Sequence, residues 1–161
     1  MKKPKHIFIV EDNELYSVML DYILSKDSIY QFVSFNSGED CIKNLYLNPD
    51  IIILDYGLPG INGYETLLKI KKHDPHIQVI MLSSNTDKNL IEKLLNAGAD
   101  DYVLKQGHGE TQIIPKIEAI LEKGEMNPAA PFSFKRKTSL MKIAFLILIL
   151  AALSLGILHL I

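Results

Sequence analysis

The sequence predicts an α/β fold, a doubly wound parallel sheet with helices on both faces. Three observations carry this. Five short apolar runs alternate with five amphipathic stretches between residues 6 and 123, the signature of βα repeats. The third run, residues 50–54 (DIIIL), is apolar on both faces and so belongs at the centre of a parallel sheet. The length, 161 residues, suits one such domain with a little to spare. Periodicity supplies the elements but not the order of the strands.

Residues 6–10 (HIFIV) form the first strand. A helix follows, with Leu15, Val18, Met19, Tyr22 and Ile23 expected as its apolar stripe. Asn13 can cap it, and Glu14 places negative charge in its first turn. Residues 30–34 make the second strand, and Ser37-Gly38-Glu39-Asp40 opens a second helix expected to run to about Tyr46. After the central strand, Gly57, Pro59, Gly60 and Gly63 mark a loop. A third helix covers 64–73 with Leu67, Leu68 and Ile70 inward. Residues 77–82 (IQVIML) are the fourth strand and 88–97 the fourth helix, ended by Gly98 as a C-cap. The fifth strand is 101–104. The last helix, 110–123, carries Pro115, tolerable only near its first turn.

The chain is 48% hydrophobic and 22% charged, within the globular range. Charge divides it. All 19 acidic residues and 13 of the 17 basic ones lie in 1–126, a net charge of −6, whereas 127–161 holds Lys135, Arg136, Lys137 and Lys142 and no acid. That excludes a uniformly basic nucleic-acid binder. The single cysteine, Cys41, excludes an internal disulfide and a cysteine-rich zinc site, and reads as a small buried residue in a reducing compartment.

Residues 143–161 (IAFLILILAALSLGILHLI) contain no formally charged side chain at neutral pH. As a helix they reach roughly 28 Å, enough for a hydrocarbon core of about 30 Å. A membrane-anchoring helix is therefore expected over 139–161, after a Pro-containing linker over 124–138. The basic cluster before it places residues 1–137 on the cytoplasmic side of a single-pass protein. The N-terminal apolar run is too short for a secretory signal, which needs roughly 7–15 apolar residues.

In doubly wound sheets, ligands sit beyond the carboxyl ends of the strands. Here those ends carry Glu11-Asp12, Asp55, Ser83-Ser84 and Lys105. Three close carboxylates repel one another, and a divalent cation relieves them. Oxygen ligands favour Mg²⁺ or Mn²⁺, since no histidine lies at these ends. An aspartate beside such an ion is a competent phosphoryl acceptor. Lys105 and Ser83 could then each engage one phosphoryl oxygen, and a backbone carbonyl near Gly57 could complete the metal shell.

Residues 5–123 resemble the receiver domain of two-component response regulators. Glu11 and Asp12 match the family's metal-binding acids. Asp55, with the following Tyr56-Gly57-Leu58-Pro59-Gly60-Ile61-Asn62-Gly63, matches its phosphoacceptor and Pro/Gly loop. Ser83, Lys105 and Tyr102 match its hydroxyl, lysine and aromatic switch positions. The resemblance implies a flavodoxin-like fold of strand order 2-1-3-4-5, phosphorylation of Asp55 by a sensor histidine kinase or phosphotransfer protein, and Mg²⁺ held by Glu11, Asp12, Asp55 and the Gly57 carbonyl. Ser83 and Tyr102 would form the switch. It also offers the fourth helix, fifth strand and fifth helix as a partner face, to which Leu90, Ile91, Leu94, Leu95 and Tyr102 could contribute, with core packing the competing role for at least half.

Three departures stand out. Gln106 replaces the family's proline after the lysine. A cis bond to a non-proline costs about 2.5–4 kcal/mol, which leaves the loop 106–109 either trans or unusually mobile. Gly57 has no side chain above the pocket, and Ser84 replaces a smaller residue at its entrance.

The functional expectation is a membrane-tethered single-domain response regulator. Its chemistry would be Mg²⁺-dependent self-phosphorylation and dephosphorylation at Asp55, with no separate catalytic output. Its partners would be the phosphodonor, a downstream protein and membrane lipid, with no nucleic acid. The competing class is a membrane-anchored adaptor of the same fold that is not phosphorylated. A phosphatase of another α/β family is disfavoured, because the acid such enzymes place two residues beyond the nucleophile is Gly57 here.

Overall fold

A computed structural model describes residues 4–107 and 109–126. Five parallel strands, β1 (Lys5–Val10), β2 (Tyr30–Phe35), β3 (Ile51–Asp55), β4 (Gln78–Ser83) and β5 (Asp101–Leu104), lie in the order β2-β1-β3-β4-β5. The helices are α1 (Glu14–Leu24), α2 (Gly38–Lys43), α3 (Gly63–His73), α4 (Lys88–Asn96) and α5 (Ile113–Met126). This is the doubly wound sheet expected from the sequence pattern, in the strand order that the family resemblance implies.

Strand alternation builds two apolar layers. Phe8, Val10, Ile52, Leu54, Val79 and Met81 face Leu67 and Ile70 of α3 and Leu94 of α4. Ile7, Ile9, Ile51, Ile53, Ile80, Leu82 and Val103 face Leu20 and Leu24 of α1 and Ile113, Ile117 and Ile120 of α5. Cys41 is buried in the first layer, and burial pushes its thiol up to about 12, so it is inert as a nucleophile.

Several local expectations change. The α1 stripe is rotated: Leu15, Val18 and Tyr22 are exposed, Leu15 to 83%, while Leu20 and Leu24 are fully buried. The expected residues span two helix faces. The sheet selects the line Tyr16–Leu20–Leu24, and Met19 and Ile23 flank it half-buried. Leu68 is likewise exposed, because α3 turns Leu67 and Ile70 to the core. The second helix ends at Lys43, and a 3-10 turn covers Leu45–Leu47. A 3-10 turn at Gly109–Gln112 also replaces the expected start of the last helix, which places Pro115 in the first turn of α5. Of the candidate partner-face residues, Leu94 is core, Leu95 is exposed, and Leu90, Ile91 and Tyr102 are half-buried.

α5 runs to Met126, into the segment expected as linker. The remainder of that linker and the expected membrane helix over 139–161 lie outside the described residues. Among the described residues, no helix is long and apolar enough to cross a membrane.

Candidate functional site

Each candidate side chain follows directly from a strand that stops at the same edge. β1 ends at Val10, so Glu11 and Asp12 emerge there. Asn13, and not Asp12, caps α1, its side chain accepting from the Tyr16 N–H at 3.0 Å. Its own N–H donates to Glu11 Oε1 at 3.1 Å, which aims that carboxylate. β3 ends on Asp55. The following loop closes tightly: Gly63 N–H donates to the Tyr56 carbonyl at 3.0 Å, and a Cβ at Gly63 would stand 2.2 Å from the Asp55 carbonyl oxygen. Only glycine lets α3 start directly against the strand end. An Asn62–Glu65 capping box fixes that start.

The parity of the strands sorts the site. Glu11, Asp55 and Lys105 continue the alternation of Ile9, Ile53 and Val103, and so fall on the α1/α5 face. Ser83 and Tyr102 fall on the opposite face, where Tyr102 packs against the α3/α4 layer. The two groups meet at the strand ends.

The charged groups are close. One oxygen from each of Glu11, Asp12 and Asp55 lies within 4.8 Å of the others. Glu11 and Asp55 are 3% and 5% exposed, and Asp12 is exposed. Lys105 Nζ pairs with Glu11 Oε2 at 2.6 Å and with Asp55 Oδ1 at 2.9 Å. It also stands 4.8 Å from the Tyr16 ring centroid, a cation–π distance. Asp55 Oδ2 faces the other way, toward Gly57, where an added Cβ would come within 3.4 Å of it. Burial pushes the Glu11 carboxyl above its ordinary value and the Asp55 charge adds to this, while Lys105 and the Asn13 N–H oppose it. One ammonium thus pairs with two buried carboxylates, and a third, exposed carboxylate stands beside them. This all-oxygen set, with excess negative charge and one solvent-facing acid, fits a hydrated Mg²⁺.

Ser83 is buried, and its Oγ accepts from the Asn85 N–H at 3.1 Å, leaving its own hydrogen as the group to offer a ligand. The Tyr102 hydroxyl donates to the Asn85 carbonyl. Ser83 and Tyr102, which the family resemblance pairs as a switch, are therefore connected through Asn85. The Lys105–Gln106 peptide bond is trans, no cis bond occurring among the described residues.

Glu11, Asp12, Asp55 and Lys105 come together, with Gly57 beside Asp55, while Ser83 and Tyr102 join each other through Asn85. Sequence reasoning missed Tyr16 beside Lys105, Asn13 as the group orienting Glu11, and Asn85 as the connection between Ser83 and Tyr102. Tyr16 shares a helical line with Leu20 and Leu24, but spacing alone does not choose that line over the one through Leu15. Asn85 carried no signal, because it acts through its backbone.

Comparison with known proteins gives the same answer as the geometry. The family model for the response regulator receiver domain matches residues 7–118. The chain is 33% identical over 129 residues to transcriptional regulatory protein AfsQ1 of Streptomyces coelicolor, covering 80% of this chain and 56% of that one. It is 35% identical over 153 residues to protein-glutamate methylesterase/protein-glutamine glutaminase of Trichodesmium erythraeum, covering 83% and 43%. The chain spans about half the length of the curated relatives it matches. A response regulator structure from Chloroflexus aurantiacus aligns with a TM-score of 0.67 and 29% identity, over 74% of this chain and 99% of that one. The sheet order, the strand-end chemistry and a match over most of the sequence agree: the chain belongs to the receiver domain family of two-component response regulators.

Proposed function

We propose that Asp55 is the phosphoacceptor of a Mg²⁺-dependent phosphoryl transfer, and that this chain signals from the membrane through a protein partner. The observation that carries the reading is Lys105 Nζ set between Glu11 and Asp55. It holds positive charge where a phosphoryl group arriving on Asp55 would bring negative charge.

In this reading Glu11, Asp12, Asp55 and the Gly57 backbone carbonyl would hold Mg²⁺, which when bound would offset phosphoryl charge. An Asp55 carboxylate oxygen forms a bond to phosphorus. The bond from phosphorus to the imidazole nitrogen of a histidine kinase or phosphotransfer protein breaks, and that nitrogen takes up a proton. Lys105 pairs with one phosphoryl oxygen and Ser83 donates to another. Ser83 would then follow the phosphoryl group inward and bias Tyr102 through Asn85, a two-state shift driven by new hydrogen bonds at one end.

The chain should be incubated with acetyl phosphate and Mg²⁺ and its intact mass measured. Gain of one phosphoryl group in the wild type, abolished by Asp55→Asn with the fold retained, supports the acceptor. An undiminished gain in Asp55→Asn removes it, and no gain in the wild type favours the non-phosphorylated adaptor.

Membrane tethering is supported by the uncharged run 143–161 and the preceding Lys135, Arg136, Lys137 and Lys142, a pattern that orients residues 1–137 to the cytoplasm. Such an anchor would concentrate the receiver near membrane-bound partners. The full chain should sediment with membranes and resist alkaline carbonate. Recovery as a soluble monomer without detergent would exclude the anchor. The −6 net charge of residues 1–126 disfavours DNA as the downstream partner.

A further inference from the structure

Three successive residues at the end of β4, Ser83, Ser84 and Asn85, are tied to β5 and the residues that follow it. Lys105 N–H donates to the Ser83 carbonyl at 2.9 Å. The Gln106 side-chain amide donates to the Ser84 carbonyl at 3.1 Å. The Tyr102 hydroxyl donates to the Asn85 carbonyl. The first is the last backbone rung between β4 and β5. The second extends the ladder by one rung after both strands have ended, using a side chain in place of backbone. Farther along, the loop folds back onto β5: a Cβ at Gly109 would stand 1.6 Å from the Leu104 carbonyl oxygen, so this close return requires glycine.

We propose that Gln106 is a positioning residue that sets Ser83 and Lys105 relative to each other for phosphoryl transfer. The inference rests on the reading of Asp55 as acceptor. Ser83 and Lys105 have to present donors to two oxygens of one small group, so their separation matters more than either position alone. The last backbone rung joins Lys105 to Ser83, and beyond it the backbone ladder gives no further support. Gln106 immediately follows Lys105, and Ser84 immediately follows Ser83, so a bond between the second pair limits the drift of the first. Proline offers no side-chain donor for this bond, and asparagine is one methylene shorter. Glutamine is also neutral, so it makes the tie without altering the charge around Lys105.

The Ser83 end has its own reporter. Asn85 N–H donates to Ser83 Oγ, so the exchange rate of the Asn85 amide follows how firmly that hydroxyl is held.

The test uses the full chain as wild type, Gln106→Ala and Gln106→Asn, with acetyl phosphate as donor and Mg²⁺ titrated. Loss of one hydrogen bond should lower the maximal phosphorylation rate about three- to tenfold in both variants. The half-saturating Mg²⁺ concentration should stay unchanged, and exchange at Asn85 should quicken. Equal maximal rates in wild type and Gln106→Ala, or unchanged Asn85 exchange, would overturn the assignment while leaving Asp55 as acceptor. A fall in rate matched by an equal loss of Mg²⁺ affinity would also overturn it, since Gln106 would then act on the metal site. A wild type that takes up no phosphoryl group overturns the acceptor reading, and this inference with it.

Discussion

The interior of the sheet and its carboxyl edge are built on opposite principles. Along β3, Ile51, Ile52, Ile53 and Leu54 are completely buried between two helical layers. The next residue, Asp55, is almost as buried and carries a charge. Among the described residues, Glu11, Asp55, Thr66 and Ser83 are the buried polar or charged ones. Thr66 is satisfied inside α3, donating to the Asn62 carbonyl at 2.9 Å, and the other three stand at strand ends. The interior gains stability from burial. The edge spends part of it holding like charges together, as functional sites commonly do. A single residue step separates the two regimes because a parallel strand ends abruptly, and the polar side chains of such a sheet collect at the carboxyl ends of its strands.

Substitutions on the two sides should therefore have different signatures. Ile53→Ala, in the interior, should cost about 2–5 kcal/mol of unfolding free energy, read from the denaturant midpoint. A loss below about 1 kcal/mol would mean that the layer between β3 and α1/α5 is loosely packed. At the edge, Asp12→Ala should leave the denaturant midpoint nearly unchanged, because Asp12 is exposed. It should weaken Mg²⁺ binding at least about tenfold, with phosphotransfer falling in step. An unaltered Mg²⁺ titration would take Asp12 out of the proposed site.

Glu11 sharpens the contrast further. Its carboxyl is held above the ordinary value by burial first and by Asp55 next, so it is harder to ionise in the folded protein than in the unfolded chain. The folded state then binds more protons than the unfolded chain between the ordinary value and the raised one. In chelator, stability should accordingly decline as pH rises through that window and level off above it. Glu11→Gln should remove this dependence and raise the thermal midpoint at neutral pH by about 1–4 °C. A lower midpoint would show that the ion pair with Lys105 outweighs the burial of the charge.

The smallest effect is expected on α1, where the two regimes lie on opposite sides of one helix. Leu15→Gln should change unfolding free energy by no more than about 0.5 kcal/mol, since Leu15 is exposed. Leu20→Ala, five residues further along and fully buried, should behave like Ile53→Ala. Similar costs at both positions would mean that the exposed apolar face of α1 is covered in solution.

The elements were legible in the sequence where each strand is short, apolar and bounded by Gly, Pro or Asp. The site was legible for a related reason: chemistry collects at strand ends, and Glu11, Asp12, Asp55, Ser83 and Lys105 each stand at one. Alternating apolar runs and the residues that terminate them are local properties, and the sequence by itself determined those. Which face of α1 turns inward, that Tyr16 and not Leu15 meets the sheet, that Lys105 reaches both Glu11 and Asp55, and that Gln106 ties itself to Ser84 were decided only by the tertiary structure. Helical spacing permits several apolar lines, and only the sheet selects one. A lysine or glutamine side chain reaches several partners from a strand end, and only the neighbouring strand determines which partner stands within range.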